Sequence, residues 1–317
     1  MKIIAVEPIG ITTELAEEIR KKYNNQGHEF VYYPDRNEAP DVLIERMKEA
    51  DIAILSNIKI DKNILSKCKN LKLLDIAFTG VDHIDIEYCK QNNISVCNAS
   101  GYATTAVSEL AIGLMLDVYR KISFLNQKTR ELQGRGSILG CQLKNKTVGI
   151  VGTGAIGCET ALMLQKLSCN VIAYSRTVRA EIIKANIPYV SLEELMERSD
   201  IISLHTPLNP STYHLISKDM LKLCKPSAIL INTARGNVVD IDALAEALKN
   251  NKIAGAGIDV FEKEPPLPES HPLLNAPNCI VLPHVGYATY EAFEHRIKII
   301  LDNIDKWLEG NTINKVC

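Results

Sequence analysis

Short apolar runs alternate with amphipathic stretches along most of the chain. In the first hundred residues the apolar runs have the length and composition of strands, at 2–7, 29–33, 51–56, 71–77 and 95–98. Between them, apolar residues recur with the spacing of helices, near 13–23, 40–49, 61–68 and 83–91. This alternation predicts βα units, which build a parallel sheet with helices on both faces.

The same alternation begins again in the second part of the chain. A long apolar helix is predicted over 104–122, and the polar, glycine-bearing segment 126–145 is interpreted as a loop. Strands are then predicted at 146–152, 170–175, 188–190, 200–205, 228–233, 254–260 and 279–283, with helices near 156–167, 191–197, 217–223 and 240–249. A second doubly wound sheet is therefore expected, followed by an amphipathic helix over 290–310.

Composition narrows the class of protein. The 317 residues suffice for about two domains, and a net charge of -2 gives no electrostatic argument for a nucleic-acid or membrane partner. The N-terminus meets Glu7 and Pro8 too early for a secretory signal, and no apolar run is long enough to span a bilayer. Nine scattered cysteines form no C-x-x-C pair, so we expect no metal site and free thiols in a cytoplasmic protein.

A glycine motif marks a candidate nucleotide site. Gly152, Gly154 and Gly157 match G-x-G-x-x-G directly after a predicted strand and at the start of a predicted helix. In that context the first glycine permits a tight turn, the second lets a pyrophosphate approach the backbone, and the third allows close helix–strand packing. The alternative interpretation is a glycine-rich turn without a ligand.

The strand after this motif ends without the acid that usually binds an adenosine ribose. No Asp or Glu occurs in 170–180, and Ser175 and Arg176 stand at the strand end, with Arg179 as a further cation. An acid there repels a 2′-phosphate, whereas a serine and an arginine bind and neutralise it. The sequence therefore favours NADP(H), with NAD(H) possible, because Arg176 is alternatively a solvated charge that tolerates both cofactors.

Three polar residues follow three different predicted strands of the second sheet. They are Arg235, Glu264 and His284. An arginine binds a substrate carboxylate and polarises a keto oxygen, and a histidine donates a proton to that oxygen. A neighbouring glutamate raises the pKa of such a histidine. Each residue alone has a structural interpretation, but three at successive strand ends behind a nucleotide motif predict carbonyl reduction.

At this point the chain resembles the D-isomer-specific 2-hydroxyacid dehydrogenase family over nearly its whole length. The matching stretches are FTGVDHID (78–85), ATTAVSELAIGLML (103–116), TVGIVGTGAIG (147–157), DIISLHTPLNPSTYHLI (200–216), AILINTARGNVVD (228–240), AGAGIDVFEKEP (254–265) and LPHVGYAT (282–289).

The resemblance implies two doubly wound Rossmann-like parallel-sheet domains with the active-site cleft between them. The substrate-binding domain would comprise 1–100 and 288–317, and the dinucleotide-binding domain 101–287. It also implies a homodimer, for which the helix 104–122 and the loop 126–145 are the interface candidates; the alternative for both is ordinary intrachain packing.

The resemblance assigns further site residues. The catalytic roles fall on Arg235, Glu264 and His284. The substrate carboxylate is bound by Arg235 together with the backbone of Thr79 and Gly80. The residues expected to contact the cofactor are Gly152, Gly154, Ala155, Ile156, Gly157, Ser175, Arg176, His205, Thr206, Pro207, Thr233, Ala234 and Asp259. Two of these residues have alternative interpretations. His205 is alternatively a buried histidine at a strand end, and Asp259 is alternatively a structural N-cap. Tyr102 and Tyr287 have either pocket or packing roles.

These observations predict an NAD(P)-dependent oxidoreductase that reduces a small 2-keto acid to the D-2-hydroxy acid. Glyoxylate and hydroxypyruvate are favoured, because Ser175–Arg176 resembles the pair in NADPH-using members of the family. One alternative is a D-3-phosphoglycerate dehydrogenase, which needs a further cation for the substrate phosphate. An alternative of another class is a nucleotide-sensing corepressor resembling the C-terminal-binding proteins.

Overall fold

The computed structural model describes residues 1–263 and 266–317 and divides them into two compact units. Unit 1 comprises Met1–Ala103 and Thr289–Cys317, and unit 2 comprises Thr104–Ala288. Each unit has helices packed on a parallel sheet. The expected fold class, two doubly wound α/β domains, is confirmed.

Unit 1 contains a five-stranded parallel sheet. Its strands are β1 (Lys2–Ala5), β2 (Glu29–Tyr32), β3 (Ile52–Leu55), β4 (Leu73–Ile76) and β5 (Ser95–Asn98), in the spatial order β2-β1-β3-β4-β5. The connecting helices are α1 (Thr13–Asn25), α2 (Pro40–Met47), α3 (Lys62–Leu65) and α4 (Ile86–Gln91). The strand order reverses between β1 and β3, which is a topological switch point of the flavodoxin-like kind.

Strand residues of unit 1 alternate between two hydrophobic clusters. Ile3 and Ala5 pack with α1 residues on one face of the sheet, whereas Ile4 and Val6 pack with α2 residues on the other. This alternation follows from the two-residue repeat of a strand. Both faces are therefore buried, as the uninterrupted apolar runs of the sequence indicate.

Unit 2 begins with α5 (Thr104–Arg120) and contains a six-stranded parallel sheet within its described residues. The elements that follow α5 are α6 (Ile122–Arg130), β6 (Thr147–Val151), α7 (Ala155–Lys166), β7 (Asn170–Tyr174), α8 (Ala180–Lys184), α9 (Leu192–Arg198), β8 (Ile201–Leu204), α10 (Lys218–Leu223), β9 (Ile229–Asn232), α11 (Ile241–Lys249), β10 (Gly255–Ile258) and β11 (Cys279–Val281). The spatial order is β11-β10-β9-β8-β6-β7. The sequence order reverses between β6 and β8, where open α/β sheets bind nucleotides at the carboxyl ends of the strands.

Two predicted elements of unit 2 differ in the structure. The strand predicted at 188–190 is not a full strand. It forms one isolated parallel bridge, between Tyr189 and Ala173 of β7. The loop predicted at 126–145 is helical up to Arg130. Lys121 takes a left-handed φ of 54° that separates α6 from α5, and Asp117 then accepts a hydrogen bond from Ser123 N at 2.8 Å.

The chain returns to unit 1 through α12 (Tyr290–Leu308). Its first turn is capped by Thr289, whose Oγ1 accepts from Ala292 N at 3.1 Å. Across the described part of the chain, no helix has the combination of length and apolar character that crossing a membrane requires.

Candidate active site

The three motif glycines build the turn between β6 and α7. Gly152 has a φ of +95°, and a Cβ there would lie 2.7 Å from the carbonyl oxygen of His205. A Cβ on Gly157 would overlap the carbonyl oxygen of Gly152. At Gly154, the N-cap of α7, no atom of the described residues lies within 4 Å of an added Cβ. The turn is therefore closed toward the protein and open at Gly154, as a pyrophosphate cradle requires.

A cavity of about 330 Å³ opens above this turn, within unit 2. It is lined by Val151, Gly152, Thr153, Gly154, Tyr174, Ser175, Arg176, Thr177, His205, Thr206, Pro207, Ser211, Thr212 and Leu215. Seven predicted cofactor residues meet here, namely Gly152, Gly154, Ser175, Arg176, His205, Thr206 and Pro207. Ala155, Ile156 and Gly157 lie beside the cavity in the first turn of α7.

The end of β7 contributes a cation to this cavity. Ser175 is half-buried and Arg176 is exposed, and Arg176 Nη1 donates to Ser211 Oγ at 3.0 Å. The lining residues include no Asp or Glu among those the structure describes. This wall therefore presents a positive charge and hydroxyl groups to a ligand.

His205 lies at the carboxyl end of β8. Its backbone N donates to Val151 O at 2.8 Å, and its Nε2 is 2.9 Å from Ser203 Oγ. Burial lowers the pKa of His205 to about 4, so the ring is neutral at pH 7. His205 is thus both a cavity residue and a strand-end histidine tied to its own strand.

Thr233, Ala234 and Arg235 form a turn directly after β9. The Asn232 side chain shapes this turn, because its Oδ1 accepts from Ala234 N at 3.0 Å and its Nδ2 donates to Arg235 O at 2.9 Å. The buried Thr233 Oγ1 has no hydrogen-bond partner among the described residues. A buried hydroxyl of this kind is rare without a ligand or water to satisfy it, which fits the predicted nicotinamide contact.

Asp259 and His284 are joined through the loop that follows β11. The two carboxylate oxygens of Asp259 accept from Val285 N and Gly286 N, each at 2.8 Å. His284 has a left-handed φ of 56°, and its ring lies edge-on to that of Tyr287, with 5.4 Å between ring centroids. Asp259 therefore holds the backbone that orients His284, a role that the sequence did not predict.

Two of the three predicted catalytic residues follow the strands on either side of β10. Arg235 follows β9 and His284 follows β11, and the third predicted residue, Glu264, lies outside the described residues. Because β9, β10 and β11 are adjacent and parallel, their carboxyl ends share one edge of the sheet.

The described residues contain no group of three or more His, Cys, Asp or Glu arranged to hold a metal ion.

The predicted substrate residues Thr79 and Gly80 lie in unit 1, in the loop after β4. Asn98 Nδ2 donates to Thr79 O at 2.7 Å and so fixes this loop to the end of β5. Tyr102 is buried within the same unit, with its ring 6.0 Å from that of Phe78. The Tyr102 ring thus packs against Phe78 in unit 1.

Comparison with known proteins agrees with this geometry. The family model for D-isomer specific 2-hydroxyacid dehydrogenase, NAD binding domain, matches residues 112–286. The chain is 41% identical to the glyoxylate reductase of Thermococcus litoralis over 86% of both chains. It is 37% identical to the D-3-phosphoglycerate dehydrogenase of Methanocaldococcus jannaschii, over 86% of this chain and 53% of that protein.

A solved structure is also similar over the full chain. It is described as acyclic imino acid reductase (Bsp5) in complex with NADPH and D-Arg, and it matches with a TM-score of 0.91 and 31% identity over 100% of both chains.

The doubly wound sheet with a dinucleotide cradle at its switch point defines a nicotinamide-dependent oxidoreductase. More specifically, the chain belongs to the D-isomer-specific 2-hydroxyacid dehydrogenase family. The expected family, the oxidoreductase class acting on CH–OH groups and the nicotinamide cofactor are confirmed.

Proposed function

We propose that this enzyme reduces a small 2-keto acid, glyoxylate or hydroxypyruvate, to the D-2-hydroxy acid, with NADPH as the favoured hydride donor. The observation that carries the cofactor preference is the side of the cavity formed by Ser175 and Arg176, where the described lining residues include a cation and no carboxylate. Relatives named glyoxylate reductase and hydroxypyruvate reductase support the substrate class.

The residues present fit a nicotinamide dinucleotide. Gly154 leaves open space at the N-terminus of α7 for the pyrophosphate, and Ser175 and Arg176 would hold the 2′-phosphate. The Thr233 hydroxyl, which has no hydrogen-bond partner in the part of the chain that the structure describes, would meet the nicotinamide end together with Ala234. When bound, the reduced cofactor supplies the hydride that adds to C2 of the keto acid.

The protein's own residues supply the remaining steps. Arg235 binds the substrate carboxylate through two parallel hydrogen bonds and polarises the neighbouring keto oxygen. His284, in its protonated form, donates a proton to that oxygen as the hydride reaches C2, which leaves a neutral imidazole and the hydroxy acid. Glu264 is proposed as the acidic partner of His284 in this step. Asp259 positions the loop that carries the histidine.

Substrate-carboxylate binding by Thr79 and Gly80 is part of the same proposal. Both stand in a loop whose backbone is braced by Asn98. Backbone N–H groups in such a loop are suitable donors for a carboxylate.

We also propose that the enzyme is a homodimer. Large apolar side chains are exposed along the segment from α5 to the loop after α6, namely Leu116, Ile122, Phe124, Leu132 and Leu139. Leu132 is 96% exposed and Leu139 is 79% exposed, which is costly for a monomer in water. We propose a second copy of the chain as the partner that covers this surface, because the resemblance to the family implies a homodimer.

A cytoplasmic location is also proposed. It rests on the nine cysteines, all of which are free, because free thiols persist in a reducing compartment.

Initial rates test the proposed reaction. Purified enzyme is assayed with glyoxylate, hydroxypyruvate and, in the oxidative direction, 3-phosphoglycerate, each with NADP(H) and NAD(H). We expect turnover of one of the two keto acids with a lower KM for NADPH than for NADH. Turnover of 3-phosphoglycerate alone, or an equal KM for both cofactors, would contradict the proposal.

A further inference from the structure

Ser211 lies across the cofactor cavity from the end of β7. It belongs to the turn that follows β8, 35 residues after Arg176, and both residues line the cavity. Arg176 Nη1 donates to Ser211 Oγ at 3.0 Å, and this is the contact that joins the two walls. The exposed guanidinium is thereby held at the cavity rather than extended into solvent.

The orientation of the Ser211 hydroxyl is set by Asn209. Asn209 Oδ1 accepts from Ser211 N at 2.9 Å and from Ser211 Oγ at 2.6 Å. The hydroxyl proton is therefore directed to Asn209, and a lone pair of the same oxygen remains for the guanidinium. Ser211 acts on Arg176 as an oriented, uncharged acceptor.

The turn that carries Ser211 is braced by its own residues. The buried Thr212 Oγ1 donates to Pro207 O at 2.6 Å and accepts from Asn209 N at 2.9 Å. These bonds lie within the turn itself and fix the position of Ser211 through protein contacts. A guanidinium held by such a fixed acceptor needs less ordering when a ligand binds, which reduces the entropy cost of binding.

We propose that Ser211 is a specificity-determining residue that holds Arg176 in place for the 2′-phosphate of NADP(H). This inference rests on the proposed NADPH preference and adds a positioning residue to it. A neutral hydroxyl holds the guanidinium without cancelling its charge, so the full positive charge stays available to the phosphate. A carboxylate at the same position would form an ion pair with Arg176 and repel the phosphate.

The test compares two nucleotides that differ in one phosphate. Adenosine 2′,5′-bisphosphate and AMP are titrated into the full-length enzyme by calorimetry, and the ratio of the two Kd values is the readout. We expect Ser211→Ala to reduce the preference for the bisphosphate by roughly 3- to 10-fold, the net effect of one ordinary hydrogen bond at an exposed site. Ser211→Glu should reduce it by at least about 10-fold.

Matched variants separate this positioning role from general damage. The exposed Ser227, in the turn before β9, serves as the control, and Ser227→Ala should leave the ratio unchanged. Arg176→Ala should reduce the preference, and adding Ser211→Ala to it should have no further effect, because the hydroxyl acts through the guanidinium. The KM values for NADPH and NADH should change in the same proportions.

Failure of the inference and failure of the cofactor proposal give different results. If the wild-type enzyme prefers the bisphosphate and Ser211→Ala and Ser211→Glu leave that preference intact, the positioning role is wrong and the NADPH preference stands. If Ser211→Ala weakens both nucleotides equally, the residue is merely structural. If the wild-type enzyme binds both nucleotides equally and Arg176→Ala has no effect, the NADPH preference falls, and the role of Ser211 with it.

Discussion

Asp259 holds the loop of His284 with both of its carboxylate oxygens. The two backbone N–H groups that follow the histidine, those of Val285 and Gly286, each donate to Asp259 at 2.8 Å. His284 itself has a φ of 56°, a conformation that side chains other than glycine and asparagine adopt at a cost. The buried carboxylate therefore stabilises a backbone conformation on which the direction of the imidazole depends.

Replacement of Asp259 by Asn should lower kcat by about 10- to 100-fold, because an amide turns a donor toward one of the two N–H groups and the loop shifts. The fold should remain, with an unfolding free energy lower by about 1–3 kcal/mol. Asp219→Asn, at an exposed carboxylate on α10, is the control. Wild-type kcat in Asp259→Asn, measured at saturating substrate, would show that the loop does not need this carboxylate.

His284→Ala should reduce kcat by about 10²- to 10⁴-fold, the range for loss of a positioned proton donor. Cofactor affinity, measured by quenching of NADPH fluorescence, should be unchanged, since the ring acts on the substrate oxygen. Retention of turnover would remove His284 from the mechanism.

Arg235→Lys should raise KM for the keto acid and lower kcat, together reducing kcat/KM by about 10²- to 10³-fold. A lysine keeps the charge but not the planar pair of donors that matches a carboxylate. Arg198→Lys, on the exposed surface of α9, is a matched control. A kcat/KM close to that of the wild-type enzyme would mean that charge alone suffices at this position.

The nucleotide site was predictable because its signal is local. Gly152, Gly154 and Gly157 lie within one turn of chain, and their geometry follows from that turn alone. Ser211 was missed because its contact with Arg176 joins residues 35 positions apart, which no spacing rule describes. Asn209 was missed with it, because it acts on Arg176 only through its bonds to Ser211. Asp259 was predicted as a cofactor residue, and its bonds to the histidine loop became visible only with the fold.

The start of the segment 126–145, which is helical up to Arg130, was mispredicted as loop because the helix buries little apolar surface. α6 has no fully buried residue, so its sequence lacks the apolar stripe that normally reveals a helix. Two of its three large apolar residues, Ile122 and Phe124, are exposed in the single chain, and Leu125 is partly buried. A helix of this kind is typical of a surface that another chain covers, which is consistent with the proposed dimer.

Charged substitutions on this segment test the dimer. We expect the wild-type enzyme to have the mass of two chains by size-exclusion chromatography with light scattering. Leu132→Asp combined with Leu139→Asp should shift the mass toward one chain, because the two leucines are 96% and 79% exposed in the single chain. Ile183→Asp, at an equally apolar and 57% exposed position on α8, is the control and should remain dimeric. A one-chain mass for the wild-type enzyme would contradict the proposal.

A buried carboxyl group in unit 1 should make the unfolding free energy of the protein fall as the pH rises. Asp75, on β4, is fully buried, and its Oδ1 accepts from Asn303 Nδ2 of α12 at 2.8 Å, whereas Oδ2 has no partner among the described residues. Burial raises the pKa of Asp75 to about 8, although the bond from Asn303 acts in the opposite direction. The titratable groups near it are Tyr23 and Cys97, neither of which ionises below pH 8 because burial raises both of their pKa values.

The sign of the effect follows from proton binding. In the unfolded chain Asp75 has a pKa of about 3.9, so between pH 4 and 8 the folded state binds the extra proton and stability falls as pH rises. Asp75→Asn removes this titration and keeps an acceptor for Asn303. The variant should therefore gain unfolding free energy over the wild-type enzyme progressively from pH 5 to pH 8 in urea titrations. Asp51→Asn is the control: burial opposes the shift, but the hydrogen bond from Lys72 lowers the pKa of Asp51, so its difference from wild type should stay constant over this range. A constant difference for Asp75→Asn as well would show that Asp75 is ionised throughout.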